Sequence, residues 1–136
     1  MQKVYPTSFL HSLMQYLRVL EAPATTSTYG ILVVTGTNAP ANTDYTIQTQ
    51  TAHGASANQL QYQATSMGAA AIVGANVDTV VTRILVNASG GTITLKEIGM
   101  AVYNLAYYHL ISHDTVNQAI TNGEIAVVSI DIRTTI

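Results

Sequence analysis

His109 and His113 stand four residues apart in the run His109-Leu110-Ile111-Ser112-His113. On a helix that spacing stacks two imidazoles as metal ligands. The metalloprotease arrangement also needs Glu directly after the first His, and Leu110 occupies that place with no third ligand implied. The expected reading is a pair on the polar edge of a strand. Glu97 follows Lys96 and could serve as a general acid, but no second carboxylate is implied nearby. It is expected to accept backbone N–H bonds where the chain bends. Ser112, His113 and Asp114 supply the types of a nucleophile, a base and its orienting acid. Ser112 is not on a G-x-S-x-G elbow, however, and turn chemistry accounts for Asp114. Asn87-Ala88-Ser89 is formally a glycosylation sequon, and it equally makes a tight turn, which is the expected reading. Gly36 and Gly90-Gly91 lack the Lys and the spacing of a phosphate loop. The 8 tyrosines could stack on sugars, but Tyr62 and Tyr103 lie in alternating runs and read as core or interface residues. No catalytic, cofactor-binding or metal residue is assigned, no cofactor is implied, and an enzyme is not expected.

The elements around these residues are β in pattern. Val77–Asn104 is the stretch on which the chain is organised. Val77–Val86 is rich in Val, Ile and Thr, which suit a pleated, half-buried surface. Asn87 to Gly91 supply residues that tolerate tight reversal. Ile93 and Leu95 then alternate with Thr92, Thr94 and Lys96. These features predict an antiparallel hairpin over Arg83–Met100, with Gly99 breaking the pattern so that the next strand leaves at an angle.

Elsewhere, Tyr29–Val34 is a continuous apolar run of buried-strand type, and Gly36–Thr43 reads as a loop. Asp44–Gln50 alternates weakly, Thr51–Asn58 is a loop containing His53, and Gln59–Ser66 alternates Leu60, Tyr62 and Ala64 against glutamines. Met67–Asn76 fits either a strand or a crossing segment. Leu105–Ser112 reads as a strand and His113–Gly123 as a long turn region. Glu124–Ile136 is the clearest strand, with Val128, Ile130, Ile132 and Ile136 on one face and Ser129, Asp131 and Arg133 on the other.

The N-terminal run Phe9–Leu20 followed by Ala22-Pro23-Ala24 imitates a secretory leader. His11, Gln15 and Arg18 interrupt it on one helical face, while Leu10, Leu13, Met14, Leu17 and Leu20 share the other. The expectation is an amphipathic helix over residues 8–21, with Ala22–Thr28 as a linker, and no run is long enough to span a membrane. The fold class expected is mainly β, an antiparallel two-sheet β-sandwich (jelly-roll or Ig-like) with one N-terminal amphipathic helix. Residues 1–24 form an attachment arm and residues 25–136 the β-domain.

Composition narrows the function. Charged residues make up 9% of the 136 residues, against about 25% in an average soluble domain. A chain so poor in charge is expected to hide much surface in permanent contacts. The net charge of −2, with Lys3, Arg18, Arg83, Lys96 and Arg133 scattered, argues against nucleic acid. With 0 cysteines there is neither a disulfide nor a Cys-ligated zinc.

The run Thr82–Val102, TRILVNASGGTITLKEIGMAV, resembles a segment of small structural proteins of tailed bacteriophages: an Arg-led strand, an Asn/Ser/Gly turn, T-I-T and a Lys-Glu-Ile-Gly bend. The resemblance extends through Gly30–Thr37, Asp44-Tyr45, Ala52-His53-Gly54, Gln59–Tyr62 and the closing Glu124–Ile136 strand, with departures at Gly90-Gly91 and His109. It implies a virion setting. The function expected is a non-enzymatic capsid-decorating protein that assembles as a homo-oligomer, a trimer on this reading, against the major capsid protein or a tail component. The alternative is a receptor- or sugar-binding module of a tail fibre or baseplate. A small hydrolase of the host envelope is the third reading, opposed by the scarcity of paired acids.

Overall fold

The structure, a computed structural model, describes residues 22–36, 47–104 and 106–135. In these residues the chain is mainly β, with strands β1 (Gly30–Val34), β2 (Gln61–Met67), β3 (Ala71–Val73), β4 (Asn76–Val86), β5 (Ile93–Asn104), β6 (Tyr107–Ile120) and β7 (Ile125–Thr135). All strand ladders are antiparallel. One sheet has the order β1-β5-β6. The other is centred on β4, with β7 along one edge and β2 and β3 end to end along the other. The helix expected over residues 8–21 lies outside the described residues.

The period of two in β4 decides how the sheets meet. Val77, Thr79, Val81, Arg83 and Leu85 point inward and are buried, while Val80 and Ile84 point outward and are exposed. One apolar cluster draws on both sheets: Ile31 and Val33 of β1, Ile93, Leu95, Met100 and Val102 of β5, Tyr62 of β2, Val81 and Leu85 of β4, and Val128 of β7. Each such side chain, fully buried, stabilises the fold by about 1.5–3 kcal/mol. A second cluster of Leu32, Val34, Ile47 and Ala101 lies on the other face of the β1–β5 pair. With both faces covered, β1 reads as the uninterrupted apolar run that the sequence shows.

The expected Arg83–Met100 hairpin is not formed. β4 and β5 belong to different sheets, so Asn87–Thr92 is a crossover between layers. Alternation alone cannot separate a hairpin from a crossover, because both strands keep the same period. The observed hairpins join β3 to β4 and β5 to β6. β5 continues as one strand through Gly99, with register shifts against β6 at Leu95/Glu97 and Met100/Ala101 rather than at the glycine itself, whose lack of a side chain leaves room for Ile47 and Leu110: a Cβ there would meet Ile47 Cδ1 at 2.8 Å.

Four further expectations are corrected. His113–Gly123, expected as a turn region, is mostly strand, because β6 continues to Ile120. Its polar composition reflects an edge position, with most side chains in solvent. In β2, Ala64 is exposed and Thr65 buried, since an irregularity between Tyr62 and Thr65 reverses the alternation. Within Asp44–Gln50, residues 47–50 are turn and bridge rather than strand, and residues 44–46 are outside the described residues. Ala22–Thr28 is no loose connector either, since Ala22 is buried and its carbonyl accepts the Thr65 N–H at 2.9 Å.

Candidate functional site

The most constrained side chain is Arg83, which is fully buried on the inner face of β4. Its Nε donates to the Gln63 carbonyl, Nη1 to those of Tyr29 and Ile31, and Nη2 to those of Pro23 and Thr26, at 2.5–3.2 Å. All five donors of the guanidinium are thereby satisfied by backbone. The Tyr62 ring lies against the same group, and the Tyr62 hydroxyl donates to the Thr51 carbonyl at 2.9 Å. Burial pushes the guanidinium down to about 10, which leaves it protonated at neutral pH, and burial likewise raises the Tyr62 phenol to about 12. Arg83 ties β4 to β1, β2 and the Pro23–Thr26 segment. The sequence carried a signal for this, because Arg83 is in phase with Val81 and Leu85.

Asn87 fixes the far end in the same manner. Its Nδ2 donates to the carbonyls of Gly91 and Ile120, and its Oδ1 accepts from the N–H and hydroxyl of Ser89. Its backbone N–H donates to the Glu124 carbonyl, and its own carbonyl accepts from the Gly123 N–H. Asn87 therefore clamps the β4–β5 crossover to the β6–β7 turn. The buried, bonded amide agrees with the turn reading and offers no nitrogen for a glycan.

The residues that could do chemistry are separated by the register. His109 lies opposite Val102 and His113 opposite Gly99. Val102 belongs to the main core face and Gly99 to the other face, so an extra residue at Ile111 turns the two imidazoles to opposite sides of the sheet. Ser112 and Asp114 lie opposite Met100 and Ile98 and are exposed; with His113 they border one cleft of about 400 Å3, but as neighbours along a strand their side chains alternate in face. Among the described residues no three His, Asp or Glu side chains gather into a metal-holding group. Glu97 is buried opposite Val34 and Thr115, and its Oε1 has no hydrogen-bond partner, so the expected bonds to backbone N–H groups are not made by that atom.

Two surfaces stand out instead. Tyr29, Tyr103 and Tyr108 form an aromatic group with ring centroids 5.0–6.4 Å apart. Tyr108 borders a pocket of about 240 Å3 floored by Leu32, Ile47, Ala101 and Leu110, with Thr28 and Gln50 at its rim. The second surface is the outer face of β4 and β7. There Ile84 lies opposite Val127 and Val86 opposite Ile125, with Ile125 and Val127 each 63% exposed. A Thr82–Ser129 hydroxyl pair at 3.1 Å follows, and then Arg133 bonded through Nε and Nη2 to the Asp78 carboxylate at 2.8 and 2.7 Å. Comparison with known protein families, with characterised proteins and with solved structures finds no match to this chain.

Such an arrangement can recognise and pack. The buried Arg83 and Asn87 bond the chain to itself, and Val80, Ile84, Ile125 and Val127 gather exposed apolar surface on the outer face of β4 and β7. That face was the feature hardest to see in the sequence, because Ile84 and Val127 are 43 positions apart and meet only through the β4–β7 ladder.

Proposed function

We propose that this chain is a non-enzymatic structural protein of a bacteriophage particle. On this reading it is a two-sheet β-sandwich of jelly-roll or Ig-like type that assembles as a homo-oligomer and decorates the capsid. The observation that carries it is the outward block of Ile84, Val86, Ile125 and Val127 on adjacent strands. Four β-branched apolar side chains side by side on a sheet face are characteristic of a surface that is covered in use. The low charge content and the resemblance of Thr82–Val102 to small virion proteins point the same way. The arm expected over residues 1–24 serves as the attachment, rooted in the β-domain at Ala22 and Pro23, and the major capsid protein is the neighbour.

A second reading, a receptor- or sugar-binding module at a tail tip, is favoured by the Tyr29–Tyr103–Tyr108 group beside the Thr28–Gln50 pocket rim. Low-resolution maps of particles assembled with and without the chain separate the two. Difference density at repeated capsid positions is the expected result. Density at the tail tip selects the second reading, and particles that never contain the chain overturn both.

A further inference from the structure

Two outer strand edges of this fold, those of β1 and β2, are covered by the chain itself. Along β1, Thr51 donates its N–H to the Val33 carbonyl, and Arg83 takes the Ile31 carbonyl. Along β2, Thr25 donates to the Tyr62 carbonyl, Thr65 donates to the Ala22 carbonyl, and Arg83 takes that of Gln63. β6 is an outer strand interrupted by two register shifts. β7 is different. Its ladder to β4 is regular over all 11 residues, and among the described residues no backbone bond reaches its other edge. It contains neither Lys nor Pro, two of the residues with which natural edges refuse partners, and its charges, Asp131 and Arg133, are paired with each other and with Asp78.

We propose that β7 pairs antiparallel with β7 of a second copy about a two-fold axis at Ile130. The proposal rests on the homo-oligomer part of the reading above and names its surface. In the register of full overlap the strand is its own complement. On the inner face Ile130 meets Ile130, and Val128 meets Ile132. On the outer face Ser129 meets Asp131, and Val127 meets Arg133. No like charges are opposed, and every side chain keeps its face. Ile130 and Ile132 are only partly buried in the single chain, and a cleft of about 400 Å3 opens at the axis, with Ile98, Val116 and Ile130 as its apolar lining and Ser112, His113, Asp114 and Ser129 as its polar one. The second copy's Ile130 and Val128 close it. A side about 37 Å long and about 20 Å deep, from the strand rise and sheet spacing, offers roughly 740 Å2, close to the share of about 800 Å2 per partner in a standard interface. The contact is isologous, so it makes a dimer rather than a trimer.

Sedimentation equilibrium on the full chain at micromolar concentration, with two variants, tests this. The native protein is expected at twice 14.5 kDa. Val127→Lys, an exposed position placed against Arg133 of the second copy, shifts it to 14.5 kDa, whereas Val127→Glu remains dimeric. Because the chain has 0 cysteines, Ile130→Cys should give a single disulfide-linked dimer on oxidation, while Ser66→Cys on β2 should not. A trimer, or a dimer indifferent to Val127→Lys and uncrosslinked by Ile130→Cys, overturns this interface and leaves the homo-oligomer reading standing. A monomer overturns both.

Discussion

The guanidinium carbon of Arg83 lies 4.7 Å from the centroid of the Tyr62 ring, and neither residue exposes measurable surface. No carboxylate faces the pair among the described residues; backbone carbonyls and an aromatic face hold the charge. Arg83→Lys keeps the charge but offers three donors to five carbonyls arranged for a planar fork. Its expected cost is about 3–5 kcal/mol, since buried acceptors lose their partners around a desolvated charge. Urea unfolding of the variant against the parent measures it.

Gly30 occupies φ +81°, and a Cβ there would meet Ala22 Cβ and Thr65 Oγ1 at 2.6 Å. Gly30→Ala combines a left-handed conformation with two overlaps that backbone-anchored neighbours cannot relieve. A loss of about 2–4 kcal/mol is expected. Gly90, also left-handed at φ +85° but in open space, is the control, and its alanine variant should lose less.

Arg133 holds the Asp78 carboxyl below the usual carboxylate range through their paired bonds. A depressed folded value means stability that is present above the unfolded value of about 3.9 and is lost as pH falls through the lower folded value. Acid unfolding should therefore become steeper below that range, and Asp78→Asn should remove this part of the slope. Midpoints measured from neutral pH downward test it.

Tyr62 shows the opposite sign. With its phenol raised to about 12, its contribution is full below the free tyrosine value of about 10 and disappears as pH rises through about 12. Absorbance titration should show one of the 8 tyrosines ionising only with alkaline unfolding, and Tyr62→Phe should abolish that late component.

Glu97→Gln should fold with equal or greater stability, since it removes an acid whose buried Oε1 lacks a partner. On the structural reading the variant still joins particles. A folded variant that assembles normally but abolishes a measurable cleavage of host polysaccharide would establish an enzyme instead.

How much of this was legible depends on what each residue faces. β1, β4 and β7 announce themselves, because Val, Ile and Thr alternate or run together where a face is buried. β6 was legible only to Ser112. Beyond it, Asp114, Asn117 and Gln118 point into solvent from an edge, and nothing local distinguishes them from a turn. Ala64 failed because one irregularity reverses every later side chain. The β4–β5 crossover failed because sheet membership is decided by β1, β6 and β7, far away in sequence. Arg83 carried the right phase, but phase cannot say that five carbonyls will converge on it.

The ladder between β4 and β7 has a consequence for synthesis. β4 ends at Val86, yet its partner begins only at Ile125, and β1 likewise waits for β5. A nascent chain halted before Ile125 would hold β2 and β3 on one side of β4 and leave the Asn76–Val86 edge bare on the other. Edge closure thus waits until β7 has been made, and contacts so distant in sequence fold slowly. Ribosome stalling or premature termination inside β6 should produce an aggregating species rather than a shortened functional one.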